Sequence, residues 1–99
     1  MVEPIRVVSR GSIQYPRLLA EIPDAPAQLY YKGEWADDIF SDCLSVVGSR
    51  QMTSYGRRIA ESLAGEAARA GVTIVSGFMY GIDATAHKAA VEAQGRTIA

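Results

Sequence analysis

The sequence predicts an α/β fold built on a parallel sheet, and three observations carry the prediction. From residue 44 onward, short β-branched runs alternate with longer helical patterns in the order β-α-β-α-β, joined by short connections. Glycines punctuate these segments at Gly48, Gly71, Gly77 and Gly95. All four prolines, Pro4, Pro16, Pro23 and Pro26, lie before residue 43, so the regular part is free of helix and ladder breakers. The expected organisation is a lead-in segment over 1–43 and the first half of an α/β domain over 44–99. A chain of 99 residues has room for one small domain or a piece of a larger one.

In the first segment, Ile5 to Ser9 reads as a strand and Arg17 to Glu21 leaves room for one helical turn. Gln28 to Lys32 reads as a second strand, stopped by Gly33. After Cys43, Leu44-Ser-Val-Val47 is a β-favouring run closed by Gly48 and followed by the polar stretch Ser49 to Ser54. A helix is expected from Tyr55 to about Ala70. Tyr55, Ile59, Leu63 and Ala67 recur every four residues as the stripe that should face the core, and Arg57 and Glu61 form an i,i+4 pair on a more polar face. Gly71 is the natural stop. Val72 to Val75 is the second strand of the regular part, ended by Ser76-Gly77. Asp83 is placed to cap an alanine-rich helix reaching Gln94, Gly95 closes it, and Arg96 to Ala99 begins a third strand. If both crossovers are right-handed and the sheet grows in one direction, both helices lie on the same face. The other face then depends on the first segment or on further chain, which is why the sequence reads as half of a larger α/β fold.

Composition narrows the function classes. Hydrophobic residues make up 48% and charged residues 21%, the balance of a soluble globular chain. A net charge of −1 provides no broad positive field for nucleic acid or an anionic membrane, so any polyanion must be held by a local site. The single cysteine, Cys43, cannot form an intrachain disulfide or a cysteine metal cluster, and it is expected as a small core residue. The start of the chain does not resemble a signal peptide, and no run approaches the roughly 18 apolar residues of a membrane span. A cytoplasmic protein without membrane contact is expected.

In open α/β sheets, ligands bind beyond the carboxyl ends of the strands, where loops enter helix N-termini. Two such loops are expected here, Gly48 to Ser54 and Ser76 to Asp83. Their glycines permit close backbone approach to a ligand or simply tight turns, and helix N-termini offer unpaired N–H groups to phosphate. Arg50 supplies a guanidinium suited to phosphate. The hydroxyls of Ser49, Thr53 and Ser76 can donate to phosphate oxygens, although capping of the first helix is the stronger expectation for Thr53. Neither loop is a Gly-x-Gly-x-x-Gly or P-loop motif. A Ser49–His87–Asp83 triad is not supported, because no Gly-x-Ser-x-Gly elbow is present; His87 is expected to pack or cap. One histidine and one cysteine make no metal site. Arg57, Arg58 and Lys88 read as solvated helix positions, with extension of a basic pocket as the alternative. Tyr30, Tyr31 and Trp35 fall outside the ligand edge and should pack, Tyr55 should be core, and Tyr80 is the candidate for base stacking.

The literal residues say more. Val46-Val47-Gly48-Ser49-Arg50, then Thr53-Ser54-Tyr55-Gly56, then Ile74-Val75-Ser76-Gly77-Phe78-Met79-Tyr80-Gly81-Ile82-Asp83-x-x-Ala86-His87 closely resembles the DNA-processing protein A family, also called DprA or Smf. Upstream, Tyr15-Pro16-x-Leu18-Leu19 and Ile22-Pro23-Asp24-x-Pro26-x-x-Leu29-Tyr30-x-Lys32-Gly33 resembles the stretch leading into that family's Rossmann-like domain. The resemblance implies a Rossmann-like three-layer fold with a parallel sheet, of which about three core strands lie in this chain behind a short irregular N-terminal segment. It implies a protein that binds single-stranded DNA and helps load the RecA recombinase during natural transformation, without enzymatic activity or a cofactor. On this resemblance Gly48, Ser49 and Arg50 sit at the DNA pocket with Thr53 and Gly56 following, and Ser76, Gly77, Tyr80 and Gly81 form the neighbouring loop. Met79 departs from the small residue usual in the family. The family's later strands, a basic Arg-Asn-Arg-type stretch and its homodimerising region would lie beyond Ala99. Two alternatives remain: a Rossmann-like protein that binds or hydrolyses nucleotides, whose usual Pro-Gly-Gly-x-Gly-Thr stretch and glutamate are absent here, and a fragment without activity of its own.

Overall fold

A computed structural model describes residues 3–99. The chain divides into two compact units, one ending at Asp38 and the other spanning Ile39–Ala99. The first unit contains β1 (Arg6–Ser9), α1 (Arg17–Ala20) and β2 (Gln28–Tyr31). β1 and β2 pair antiparallel, from Arg6 opposite Tyr31 to Ser9 opposite Gln28. The proline-rich connection before β2 is pinned by two side chains. Arg10 Nη1 donates to the Ala25 carbonyl and the Tyr15 hydroxyl donates to the Pro26 carbonyl, both at 2.7 Å. Tyr31 and Trp35 pack on each other with ring centroids 4.7 Å apart, so they serve packing in this unit.

The second unit contains β3 (Cys43–Ser45), α2 (Ser54–Arg69), β4 (Thr73–Val75), α3 (Ile82–Glu92) and β5 (Thr97–Ile98). Its three strands form a parallel sheet in the order β3-β4-β5, with Leu44 beside Ile74 and Val75 beside Ile98. The α/β class, the parallel sheet and its stepwise growth are as the sequence predicts. Both helices cover one face and pack on each other, as the handedness rule requires. The core between them and the sheet is Ile74, fully buried, with Ala64, Ala68, Ala86, Ala89 and Ala90.

That alanine core corrects the expected phase of α2. Tyr55, Ile59 and Leu63 are 68%, 41% and 59% exposed, whereas Ala60, Ala64, Gly65 and Ala68 are buried. The four-residue period was right, but the buried row lies one position along. Helices that approach closely can place only small side chains at the contact, so the bulky row is displaced to the flank.

The helix ends obey backbone rules with one inversion. At the end of α2, Gly71 takes φ +94°; its N–H donates to Ala68 O and the Val72 N–H donates to Ala67 O, which is a Schellman motif. α3 ends in the same pair of bonds, from Gln94 to Val91 and from Gly95 to Ala90. Here, however, the left-handed residue is Gln94 at φ 60°, not the glycine beside it. Gly95 is needed for another reason: a Cβ there would lie 2.6 Å from Ala68 Cβ and 2.8 Å from Ala68 O. Cys43, expected in the core, is exposed at the start of the outer strand β3, with its Sγ 3.6 Å from Ile39 O.

Candidate nucleic-acid interface

Both expected ligand loops emerge from the carboxyl edge of the sheet, one from β3 to α2 and one from β4 to α3. They are locked together. The Ile82 N–H donates to Ser49 O at 3.1 Å. A Cβ on Gly81 would lie 2.2 Å from Ser49 O and 2.7 Å from Arg50 Cα, and one on Gly48 would lie 2.6 to 2.8 Å from three carbons of the Ile82 side chain. Gly81 also has φ +80° and ψ −127°, a conformation open to glycine. These two glycines therefore let one loop approach the other, a use that their sequence positions do not distinguish from close approach of a ligand.

Local hydrogen bonds shape the first loop. Thr53 caps α2, its Oγ1 accepting from the Gly56 N–H at 3.0 Å. Ser49 Oγ accepts from the Gln51 N–H at 3.0 Å. Both hydroxyls are exposed and keep their own O–H to donate outward. Ser76 differs: it is buried and its hydroxyl donates to Val46 O, so this candidate phosphate donor instead ties the ends of β3 and β4 together. Gly77 is exposed at the start of the second loop, and Gly56 is half-buried inside α2.

Electrostatics separates the two helix N-termini. The first turn of α2 carries no acidic residue, and exposed Arg50 precedes it with no carboxylate paired to it among the described residues. The first turn of α3 carries Asp83, which is 7% exposed with Oδ1 lacking a hydrogen-bond partner. Its Oδ2 is so near Gly77 that a Cβ there would lie 2.7 Å away. Asp83 is thus not the cap expected from the sequence. Gly81 holds the cap position, and the carboxylate sits inside the helix's first turn, where it favours the helix dipole and opposes an incoming anion. An anion is favoured at α2 and Arg50 rather than at α3.

The second loop offers aromatic surface instead. Phe78 is 90% exposed and Tyr80 is 78% exposed. Tyr80 was legible as a stacking candidate; Phe78, two residues earlier, was missed. Its signal was available, because an aromatic between two glycines in a strand-to-helix loop belongs to no buried face.

His87 is engaged by structure on both sides of its ring. Nε2 lies 2.9 Å from Gly77 O, and Nδ1 faces the Thr97 hydroxyl. It forms no triad with Ser49 and Asp83. Between α2 and α3 lies an open cleft of about 400 Å³, lined by Met52, Thr85, Arg57, Glu61, Lys88 and Glu92 among others. Arg57 and Glu61 form the expected ion pair at 2.9 Å, and the two bases and two acids leave the cleft without net charge. Among the described residues, no three His, Cys, Asp or Glu side chains gather as a metal site, and no helix is long and apolar enough to cross a membrane.

Residues 6–99 match the family described as DNA recombination-mediator protein A. The chain belongs to this family. It is 39% identical over 94 residues to DNA processing protein DprA of Bacillus subtilis, an alignment covering 95% of this chain and 32% of that protein. It is 42% identical over 85 residues to protein Smf of Escherichia coli, covering 86% of this chain and 22% of Smf. An X-ray structure of DNA processing protein A from Streptococcus pneumoniae superimposes with a TM-score of 0.81 at 37% identity, covering 96% of this chain and 33% of that one. The family resemblance carried by the two loop motifs is therefore shown, and the Rossmann-like α/β fold with it. The chain spans about a third or less of the length of these relatives.

Proposed function

We propose that this part of the family binds single-stranded DNA at the locked pair of loops. The observation that carries the proposal is the division of labour between them. The first loop presents Arg50 before an acid-free helix start, and the second presents exposed Phe78 and Tyr80. A phosphodiester lies against the Arg50 guanidinium and takes donors from Ser49 and Thr53, while neighbouring bases stack on the aromatic rings. Each stacked base contributes roughly 1–3 kcal/mol without regard to sequence. A phosphate on Arg50 adds a charge-assisted hydrogen bond worth roughly 1.5–3 kcal/mol. The proposed action is binding rather than catalysis, in keeping with the family's description as a recombination mediator. The wider role implied by the resemblance is delivery of single strands to the RecA recombinase during natural transformation, in the cytoplasm and as a homodimer.

Fluorescence anisotropy of a labelled single-stranded oligonucleotide tests the site. Arg50→Ala should weaken binding by about 10- to 100-fold, the span of that bond energy. Binding unchanged by the substitution would remove the proposed phosphate site. Tighter binding of a mononucleotide than of the oligonucleotide would replace it with the nucleotide-binding alternative.

A further inference from the structure

His87 is the sole histidine, and it joins three parts of the second unit: α3, which carries it, the loop that follows β4, and strand β5. The Gly77 carbonyl can only accept, so Nε2 carries the proton in this bond. Nδ1 faces a hydroxyl, which can donate or accept, so the Thr97 contact fits the same ring orientation. Gly77 opens the second loop, and Phe78, Met79 and Tyr80 after it are exposed. The far end of that loop is held by the Gly81 and Ile82 contacts with Ser49 and Arg50. At the near end, the Ser76 N–H donates to Ile98 O and the Ser76 hydroxyl to Val46 O. The His87 bond to Gly77 O is the last hydrogen-bonded fixture before three exposed residues.

We infer that His87 is a positioning residue for this loop: by holding the Gly77 carbonyl, it sets the direction in which Phe78 and Tyr80 leave the sheet edge. The fixing of the loop follows from the hydrogen bonds alone, and its consequence for DNA rests on the function proposed above. The substitutions that separate this role from general packing are two amides. Glutamine places its amide nitrogen where Nε2 was and keeps the donor to Gly77. Asparagine, one methylene shorter, reaches the Thr97 side and loses Gly77.

The test uses the isotope-labelled full chain. Imidazole nitrogen spectra should show the proton on Nε2, and a proton on Nδ1 alone would overturn the inference. Backbone amide order parameters over residues 77–80 should fall in His87→Asn and His87→Ala, where the fixture at the Gly77 carbonyl is lost, and stay near wild type in His87→Gln. The amides of Ala64 and Ala68 should be unmoved in all three. Oligonucleotide binding should weaken with the loop in the asparagine and alanine variants and recover in the glutamine variant. Equal loop order parameters in the Asn and Gln variants, or a loss of order spread evenly through α2, would refute a positioning role. If wild type fails to bind the oligonucleotide while the loop amides respond as described, the positioning stands and the DNA-binding reading falls.

Discussion

Replacing Gly81 by alanine should undo the lock between the two loops. An L residue at φ +80°, ψ −127° carries strain of roughly 1–3 kcal/mol. The new Cβ would also lie 2.2 Å from Ser49 O, 2.7 Å from Arg50 Cα and 2.9 Å from Arg50 C. All three atoms are backbone, so no side chain can rotate away and the loops must part, an overpacking cost of roughly 1–3 kcal/mol. Separation also breaks the 3.1 Å bond from Ile82 N–H to Ser49 O, which contributes roughly 1 kcal/mol. The total of about 3–7 kcal/mol rivals the whole stability of a unit this size, about 3–9 kcal/mol. Urea unfolding followed by circular dichroism measures it, with Gly65→Ala as the control. There a Cβ meets only Ala89 O at an ordinary 3.9 Å, and the gain in helix propensity should stabilise by about 0.5–1 kcal/mol. If Gly81→Ala unfolds at the same urea concentration as wild type, the interlocking of the loops is wrong.

Thr53→Ala should destabilise by about 1 kcal/mol through loss of the cap on α2, and Thr53→Ser should restore most of it; faster amide exchange at Gly56 in the alanine variant locates the effect. Gln94→Gly should raise the melting temperature, because relieving a left-handed glutamine gains about 1–2 kcal/mol against about 0.4–1 kcal/mol of added unfolded-chain freedom; an unchanged or lower Tm would contradict the helix-end geometry. Oligonucleotide affinity should fall shallowly with salt, with a log–log slope of about −0.7 to −1.4 for one or two neutralised phosphates. A slope several times steeper would mean a basic groove that a net charge of −1 does not provide.

Much of the site was legible before any coordinates. The loops at the carboxyl edge follow from the strand-loop-helix order, Thr53 behaves as the cap its position indicates, and the Arg57–Glu61 pair sits where i,i+4 spacing puts it. The misreadings share one cause. Asp83 has the right residue type for a cap, but the lock at Gly81 moves the helix start ahead of it. Ser76 has the right hydroxyl for phosphate, but the neighbouring strand presents Val46 O to it first. Cys43 has a core-like side chain, yet it opens an outer strand. Each residue offered a capacity that a partner distant in the chain then took up or left unused.

The sequence by itself determined the order and type of the elements, the stop at Gly71, the placement of both helices on one face and the family. All of these depend on local backbone preference, chirality or literal motif. Tertiary structure decided which row of α2 is buried, why Gly48, Gly81 and Gly95 must lack a side chain, and what His87 holds. Those outcomes turn on distances of 2 to 4 Å between segments far apart in the chain, where an alanine row admits a neighbouring helix and a bulkier row does not. Periodicity reports that a helix has faces; close packing chooses among them.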